Sequence, residues 1–197
     1  MKSRFCKFHN MTELTKLFHQ VADIKMIEDL DIERPILKTG KPIVISVEAS
    51  YEVMMYIKRL SKRAEAVKSG IDPAIDNMLK ITMEGKAIAI DHRILDPLAV
   101  VDRDSSKVYK LTENVYSIYK REEKNRGFQT VFLDFGIVMY DIIKKDLVDK
   151  GMKPEEIEFI HNFKTDKAKD ELFKMCRSGE VRVLIGSTSK MSAGTNI

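Results

Sequence analysis

The carboxyl-terminal half of the chain alternates short apolar runs with amphipathic stretches, and this alternation constrains the fold more than any other feature. Strand-like runs at 130–135, 157–161 and 181–185 are separated by helix-like stretches at 138–150 and 166–177. Elements joined by so few residues close as right-handed parallel crossovers. The sequence therefore predicts an α/β fold with a parallel sheet flanked by helices.

The last strand-like run has the composition of a strand that is buried on both faces. Residues 181–185 are mainly aliphatic and end at Gly186. A loop of small hydroxyl, glycine and amide residues follows, comprising Ser187, Thr188, Ser189, Ser192, Ala193, Gly194, Thr195 and Asn196. Ligands of open α/β sheets bind beyond the carboxyl ends of the strands, so this loop is suited to phosphate or a nucleic-acid backbone. The alternative interpretation is a plain connection between a strand and a helix.

Residues 1–103 have a different character and predict a helical region. Helices are expected at 11–29, 51–68 and 73–94, with a short strand at 43–47. Thr12 is the expected N-cap of the first helix, and Gly85 weakens the third by about 1 kcal/mol relative to alanine. A further helix, capped by Ser105 or Ser106 and running to Gly127, opens the α/β region at 104–197, and Thr165 is the expected N-cap of the stretch at 166–177.

Bulk composition limits the class of protein without assigning a function. The hydrophobic fraction of 44% supports a packed core, and the net charge of +4 is compatible with nucleic acid but also with an ordinary surface. Cys6 and Cys176 lie far apart and form no CxxC pair, which argues against a disulfide framework or a zinc ribbon. The sequence shows no secretory leader and no run of eighteen apolar residues. We therefore expect a cytoplasmic protein that does not span a membrane.

One predicted helix carries a basic stripe. Within 51–68 the cationic residues are Lys58, Arg59, Lys62, Arg63 and Lys68, and Glu65 opposes them. Spacings of three and four residues place such charges in rows on one side of a helix. We expect Lys58 and Lys62 to contact phosphates, whereas the alternative is a solvated helical face.

Several segments, taken in order, resemble the second lobe of superfamily-two helicases of the Swi/Snf-like branch. Residues 181–197, VRVLIGSTSKMSAGTNI, resemble motif V, although Ser192 stands where relatives usually carry glycine. Residues 129–136, QTVFLDFG, resemble motif IV, and residues 157–162, IEFIHN, resemble the next strand of that lobe. Residues 75–97 are similar to a segment of the large methylase and helicase proteins of phages and conjugative elements.

The resemblance implies an architecture, partners and a set of contact residues. Residues 1–103 would be a helical inter-lobe region, and 104–197 a second RecA-like lobe that ends after motif V. DNA would be the partner, contacted through Thr188, Gly194, Thr195 and Asn196, with Gly194 allowing close approach of the backbone. His161 would lie near the nucleic-acid face. As DNA contacts, His161, Gln129 and Asp134 rank below the four residues just named.

The chain lacks the residues that bind ATP and magnesium. No GxxxxGK[ST] sequence is present, and the acidic pairs Glu122/Glu123 and Glu155/Glu156 lie in polar stretches that do not form a DExx box. The resemblance implies that ATP and magnesium are held by an upstream ATPase lobe of the same protein. We expect neither cofactor, no catalytic residue and no metal ligand in this chain alone.

Two other functional classes remain open from the sequence. The chain could be a stand-alone, non-enzymatic α/β module that binds a protein or nucleotide through the same sheet edge. It could also be a metal-dependent hydrolase with Asp134 as its carboxylate, although no further carboxylates are suitably placed. A kinase assignment from Asp134-Phe135-Gly136 lacks the catalytic HRD loop.

Overall fold

A computed structural model describes residues 9–23, 25 and 40–191. The predicted contact residues Gly194, Thr195 and Asn196 lie outside the described residues. Its helices are α1 (Met11–His19), α2 (Tyr51–Lys68), α3 (Met78–Ile90), α4 (Lys107–Arg121), α5 (Met139–Asp149), α6 (Asp166–Ser178) and α7 (Thr188–Met191). Its strands are β1 (Gln129–Phe132), β2 (Ile157–Phe159) and β3 (Val183–Gly186).

The chain divides into two compact units, Met1–Val44 and Ile45–Ile197. In the first unit, α1 has no buried residue and begins after Asn10, so the predicted N-cap Thr12 is wrong. The second unit contains the other described helices and the sheet. The predicted division into an inter-lobe region at 1–103 and a helicase lobe at 104–197 stays a prediction.

The three strands form a parallel sheet in the order β1-β3-β2. Thr130 pairs with Leu184, and Phe159 pairs with Ile185. All four residues of β3 are buried, because it is the central strand and both faces of the sheet are covered. The predicted α/β fold and the doubly buried last strand are confirmed.

Helices cover the two faces of the sheet. Val183 and Ile185 pack with α4 and α5, whereas Leu184 packs with α6 on the other side. Burial of Cys176 in the α6 layer raises the pKa of its thiol to about 11, so it remains protonated at neutral pH. The strand-and-helix alternation in the sequence therefore produces a three-layered structure.

Local capping signals explain where several helices begin. Ser106 and Thr165 accept hydrogen bonds from the backbone N–H groups of Tyr109 and Ala168, which confirms both predicted caps. The third helix begins at Met78 rather than at 73, because Asn77 caps it and accepts from the N–H of Lys80 at 2.9 Å. The predicted strand at 43–47 is wrong, since these residues have no regular secondary structure.

Helices α2 and α3 pack against each other through Leu60, Ile81 and Ile88. Gly85 faces Leu60, and a Cβ atom there would lie 3.8 Å from the Leu60 Cδ1 atom, which is ordinary van der Waals contact. Arg63 donates to Asp76 at 2.7 Å and to Glu84 at 2.5 Å. This arginine therefore holds the helix pair together and is not part of a free basic stripe.

A buried polar network occupies the amino-terminal edge of the sheet. Arg182 is 1% exposed, and its guanidinium donates to the carbonyl oxygens of Tyr119 at 2.8 Å and Glu122 at 3.1 Å. Tyr119 and Arg126 both donate to Glu156, at 2.7 and 2.8 Å. Burial alone would raise the pKa of Glu156, but these two hydrogen bonds outweigh burial and lower it. The network ties α4 to the residues that directly precede β2 and β3.

Within the described residues, no helix is both long enough and apolar enough to cross a membrane.

Candidate nucleic-acid interface

A cleft of about 680 Å³ lies beyond the carboxyl ends of the strands. Its walls are formed by the segments that follow β1, β2 and β3, namely Leu133, Asp134, Ile137, Tyr140, Ile160, His161, Ser187, Thr188, Ser189 and Lys190. This edge is where the sequence predicted a ligand site, and it is where ligands of open α/β sheets bind.

Two hydrogen bonds join the segments after β1 and β3 across the cleft. One carboxylate oxygen of Asp134 accepts from the backbone N–H of Thr188 at 2.6 Å. The other oxygen accepts from the Thr188 hydroxyl at 2.8 Å. Because a hydroxyl has a single proton, the Thr188 side chain cannot donate to another group while this contact persists.

His161 forms the third corner of the cleft, in a short 3-10 turn at Ile160–Asn162 directly after β2. Its ring stacks on Phe159 with centroids 5.4 Å apart and lies 5.5 Å from the ring of Tyr140. The Nδ1 atom of His161 is buried and has no hydrogen-bond partner among the described residues. The imidazole is thus positioned by ring packing while one nitrogen is left unsatisfied.

Tyr140 was not predicted as a site residue. Its hydroxyl donates to the carbonyl oxygen of Leu133 at 2.9 Å. Burial, and then the negative charge of Asp134, raise the pKa of Tyr140, so its hydroxyl stays protonated. Its position in the first turn of the helix that follows β1 was the available sequence signal, because such residues lie near the carboxyl end of the strand.

The segment after β3 turns immediately into α7. The backbone N–H of Lys190 donates to the carbonyl oxygen of Ser187, and the hydroxyls of Ser187 and Ser189 lie 2.9 Å apart. The predicted loop that begins at Ser187 is therefore helical over Thr188–Met191. Gly186 precedes this turn, and a Cβ atom there would collide with Ile160 and Met191. A glycine at the end of β3 thus allows the turn to pack against the segment after β2.

The segment at 75–97 packs against the loop that carries Asp134. Gly136 has a φ of 81°, and a Cβ atom there would lie 2.5 Å from the Ile94 Cδ1 atom. Ile94 follows the buried Asp91, whose carboxylate accepts two side-chain hydrogen bonds from Arg93 at 2.7 Å. The loop that carries Asp134 therefore rests on a turn fixed by an ion pair.

Lys58 and Lys62 lie exposed on the side of α2 opposite Leu60, together with Tyr51. Within the described residues neither lysine has an ion pair. Arg59 instead lies over the ring of Tyr56 at 4.2 Å. The predicted stripe is therefore narrower than expected, since Arg63 is neutralised by Asp76 and Glu84.

The structure brings together some of the predicted site residues and separates others. Asp134, His161 and Thr188 line one cleft. Gln129 lies at the opposite, amino-terminal end of β1, where its side-chain amide donates to the carbonyl oxygen of Val115 at 3.0 Å. No three His, Cys, Asp or Glu side chains of the described residues come together as a metal site.

No protein-family model, curated protein or solved structure matches this chain.

Proposed function

We propose that the chain is the second RecA-like lobe of a Swi/Snf-like superfamily-two DNA helicase or translocase, at 104–197, preceded by a helical inter-lobe region at 1–103. The observation that carries this proposal is the contact between Asp134 and Thr188, 54 residues apart in sequence. Asp134 belongs to the segment that resembles motif IV, and Thr188 to the segment that resembles motif V. Adjacent motifs of one functional lobe are expected to meet at the carboxyl edge of its sheet.

In this proposal, the chain contacts DNA and a partner lobe holds ATP and magnesium. Thr188 contacts backbone phosphate at the cleft, and Gly194, Thr195 and Asn196, which lie outside the described residues, are proposed as further DNA contacts. Lys58 and Lys62 neutralise phosphates from α2. The residues of this chain do not form a nucleotide site by themselves, because the sequence has no P-loop. An ATPase lobe of the same cytoplasmic protein would supply it.

The geometry favours this function over a hydrolase that uses Asp134. Both carboxylate oxygens of Asp134 already accept hydrogen bonds from Thr188. A metal-dependent hydrolase would also need further carboxylates close by, and Asp134 is the one carboxylate among the described residues that line the cleft.

The double change Lys58→Glu with Lys62→Glu is expected to weaken binding to duplex DNA of any sequence. If each lysine neutralises one phosphate, the slope of log affinity against log salt concentration should become shallower by about 1.8. Fluorescence anisotropy with a labelled duplex, titrated with salt, measures both quantities.

A matched control makes the same change in net charge at another helix. Lys110→Glu with Lys120→Glu alters exposed lysines of α4 that face Glu113 and Glu123. We expect this control to change the salt slope much less. Equal slopes for both double variants would remove α2 from the interface, and absence of DNA binding by the unaltered chain would favour the stand-alone binding module.

A further inference from the structure

The contact between Asp134 and Thr188 conflicts with direct phosphate binding by Thr188. A phosphate oxygen in a protein–DNA contact accepts hydrogen bonds from hydroxyl and backbone N–H groups. Those are the two groups of Thr188 that Asp134 engages, at 2.8 and 2.6 Å. The hydroxyl proton can be given to Asp134 or to a phosphate, but not to both.

The charge of Asp134 strengthens the conflict. Asp134 is exposed and lines the cleft, where Lys190 is the cationic side chain among the described lining residues. A phosphate that approaches Thr188 therefore meets a carboxylate at the same place, and like charges at such distances repel each other. The carboxylate resembles a bound anion in its geometry, since its two oxygens accept from neighbouring donors as phosphate oxygens do.

We propose that Asp134 is an internal competitor of nucleic-acid phosphate for the two donors of Thr188. This inference rests on the proposed function, because it assumes that DNA is the ligand of the cleft. Without DNA, the carboxylate holds the turn at 187–191 in place and keeps its donors satisfied. When DNA binds, a phosphate oxygen displaces Asp134, which moves toward solvent. The segments after β1 and β3 are then released from each other, so DNA binding alters the connection between them.

The competition predicts that neutralising Asp134 strengthens DNA binding. Asp134→Asn has nearly the same shape but removes the charge and one acceptor oxygen. We expect this variant to bind a short labelled duplex about five-fold more tightly or better, since a lost charge-assisted contact no longer has to be broken. Thr188→Val should weaken binding, and in the double variant Asp134→Asn with Thr188→Val the gain should disappear.

Asp170→Asn is the matched control, because it removes an exposed carboxylate from α6, which does not line the cleft. It should change the affinity much less than Asp134→Asn. Unchanged or weaker binding by Asp134→Asn, with the unaltered chain still binding DNA, would overturn the competition and make Asp134 a positioning residue only. Absence of binding by the chain and by every variant would instead contradict the DNA assignment itself.

A measurement on the unaltered chain guards against an unfolded variant. Exchange of the Thr188 backbone amide with solvent, followed by NMR, reports its hydrogen bond directly. The competition predicts that the resonances of both Thr188 and Asp134 shift when DNA is added, because the two donors of Thr188 pass from the Asp134 carboxylate to a phosphate oxygen. A shift at Thr188 with none at Asp134 would show that phosphate binds beside an intact pair, and would overturn the inference.

Discussion

Replacing Arg182 with methionine is expected to lower the free energy of unfolding by about 3–5 kcal/mol. The guanidinium is buried, lies 4.0 Å from the Tyr119 ring centroid, and donates to the carbonyl oxygens of Tyr119, Glu122 and Gly127. Methionine keeps much of the volume but donates no hydrogen bonds, so all three carbonyl oxygens lose the guanidinium as a donor, including the buried contact to Tyr119. Unfolding in urea, followed by circular dichroism, measures the change.

Arg121→Met provides the comparison for this loss. Arg121 is at the end of α4, its side chain is 64% exposed, and it pairs with the neighbouring Glu122. An exposed substitution of this kind should change stability by about 0.5 kcal/mol or less. Similar small changes for both variants would show that the buried network at the amino-terminal edge contributes little to stability.

Gly186→Ala is expected to destabilise the chain by about 1–3 kcal/mol and to displace the turn that carries Thr188. The added methyl group would overlap the Ile160 side chain and lie 2.8 Å from the Met191 sulfur. Both neighbours belong to the packed layer beneath the cleft and cannot move into solvent. The turn at 187–191 must therefore shift to relieve the clash. Thermal unfolding and the affinity for DNA should therefore change together.

Alanine at Gly85 should have the opposite effect on stability. Gly85 lies inside α3, where the new methyl group would make an ordinary contact with Leu60 at 3.8 Å. Alanine is favoured over glycine in a helix interior by about 1 kcal/mol, so Gly85→Ala should stabilise the chain. Equal destabilisation by both changes would contradict the packing described for the end of β3.

The elements that could be predicted from sequence are those specified by local signals. The apolar run that ends in β3 indicated a doubly buried strand because a central parallel strand has no polar face. Ser106 and Thr165 were recognisable as caps because a cap acts on a backbone N–H only a few residues away. Asn77 acts in the same way, but the proline at 73 suggested an earlier start for α3.

The features that sequence analysis missed depend on partners far along the chain. Arg182 and Glu156 are charged, and local composition predicts solvent exposure for such residues, yet both are buried by contacts with α4 and the turn after it. The spacing of Arg63 along α2 predicted a free cationic residue of the basic stripe, but in the fold Arg63 is paired with Asp76 and Glu84. Likewise, the sequence indicated that Thr188 donates a hydrogen bond to phosphate, but it did not indicate that Asp134 accepts that hydrogen bond.

Amide chemical-shift mapping by NMR during titration with a short duplex DNA shows directly which surface of the chain contacts DNA. We expect shifts at 187–190, at Asp134 and along the side of α2 that carries Lys58 and Lys62. We expect no comparable shifts for Arg126 and Arg182, which lie at the amino-terminal edge of the sheet. Shifts confined to that edge, or no shifts at saturating DNA, would contradict the assignment of the carboxyl-edge cleft as a nucleic-acid interface.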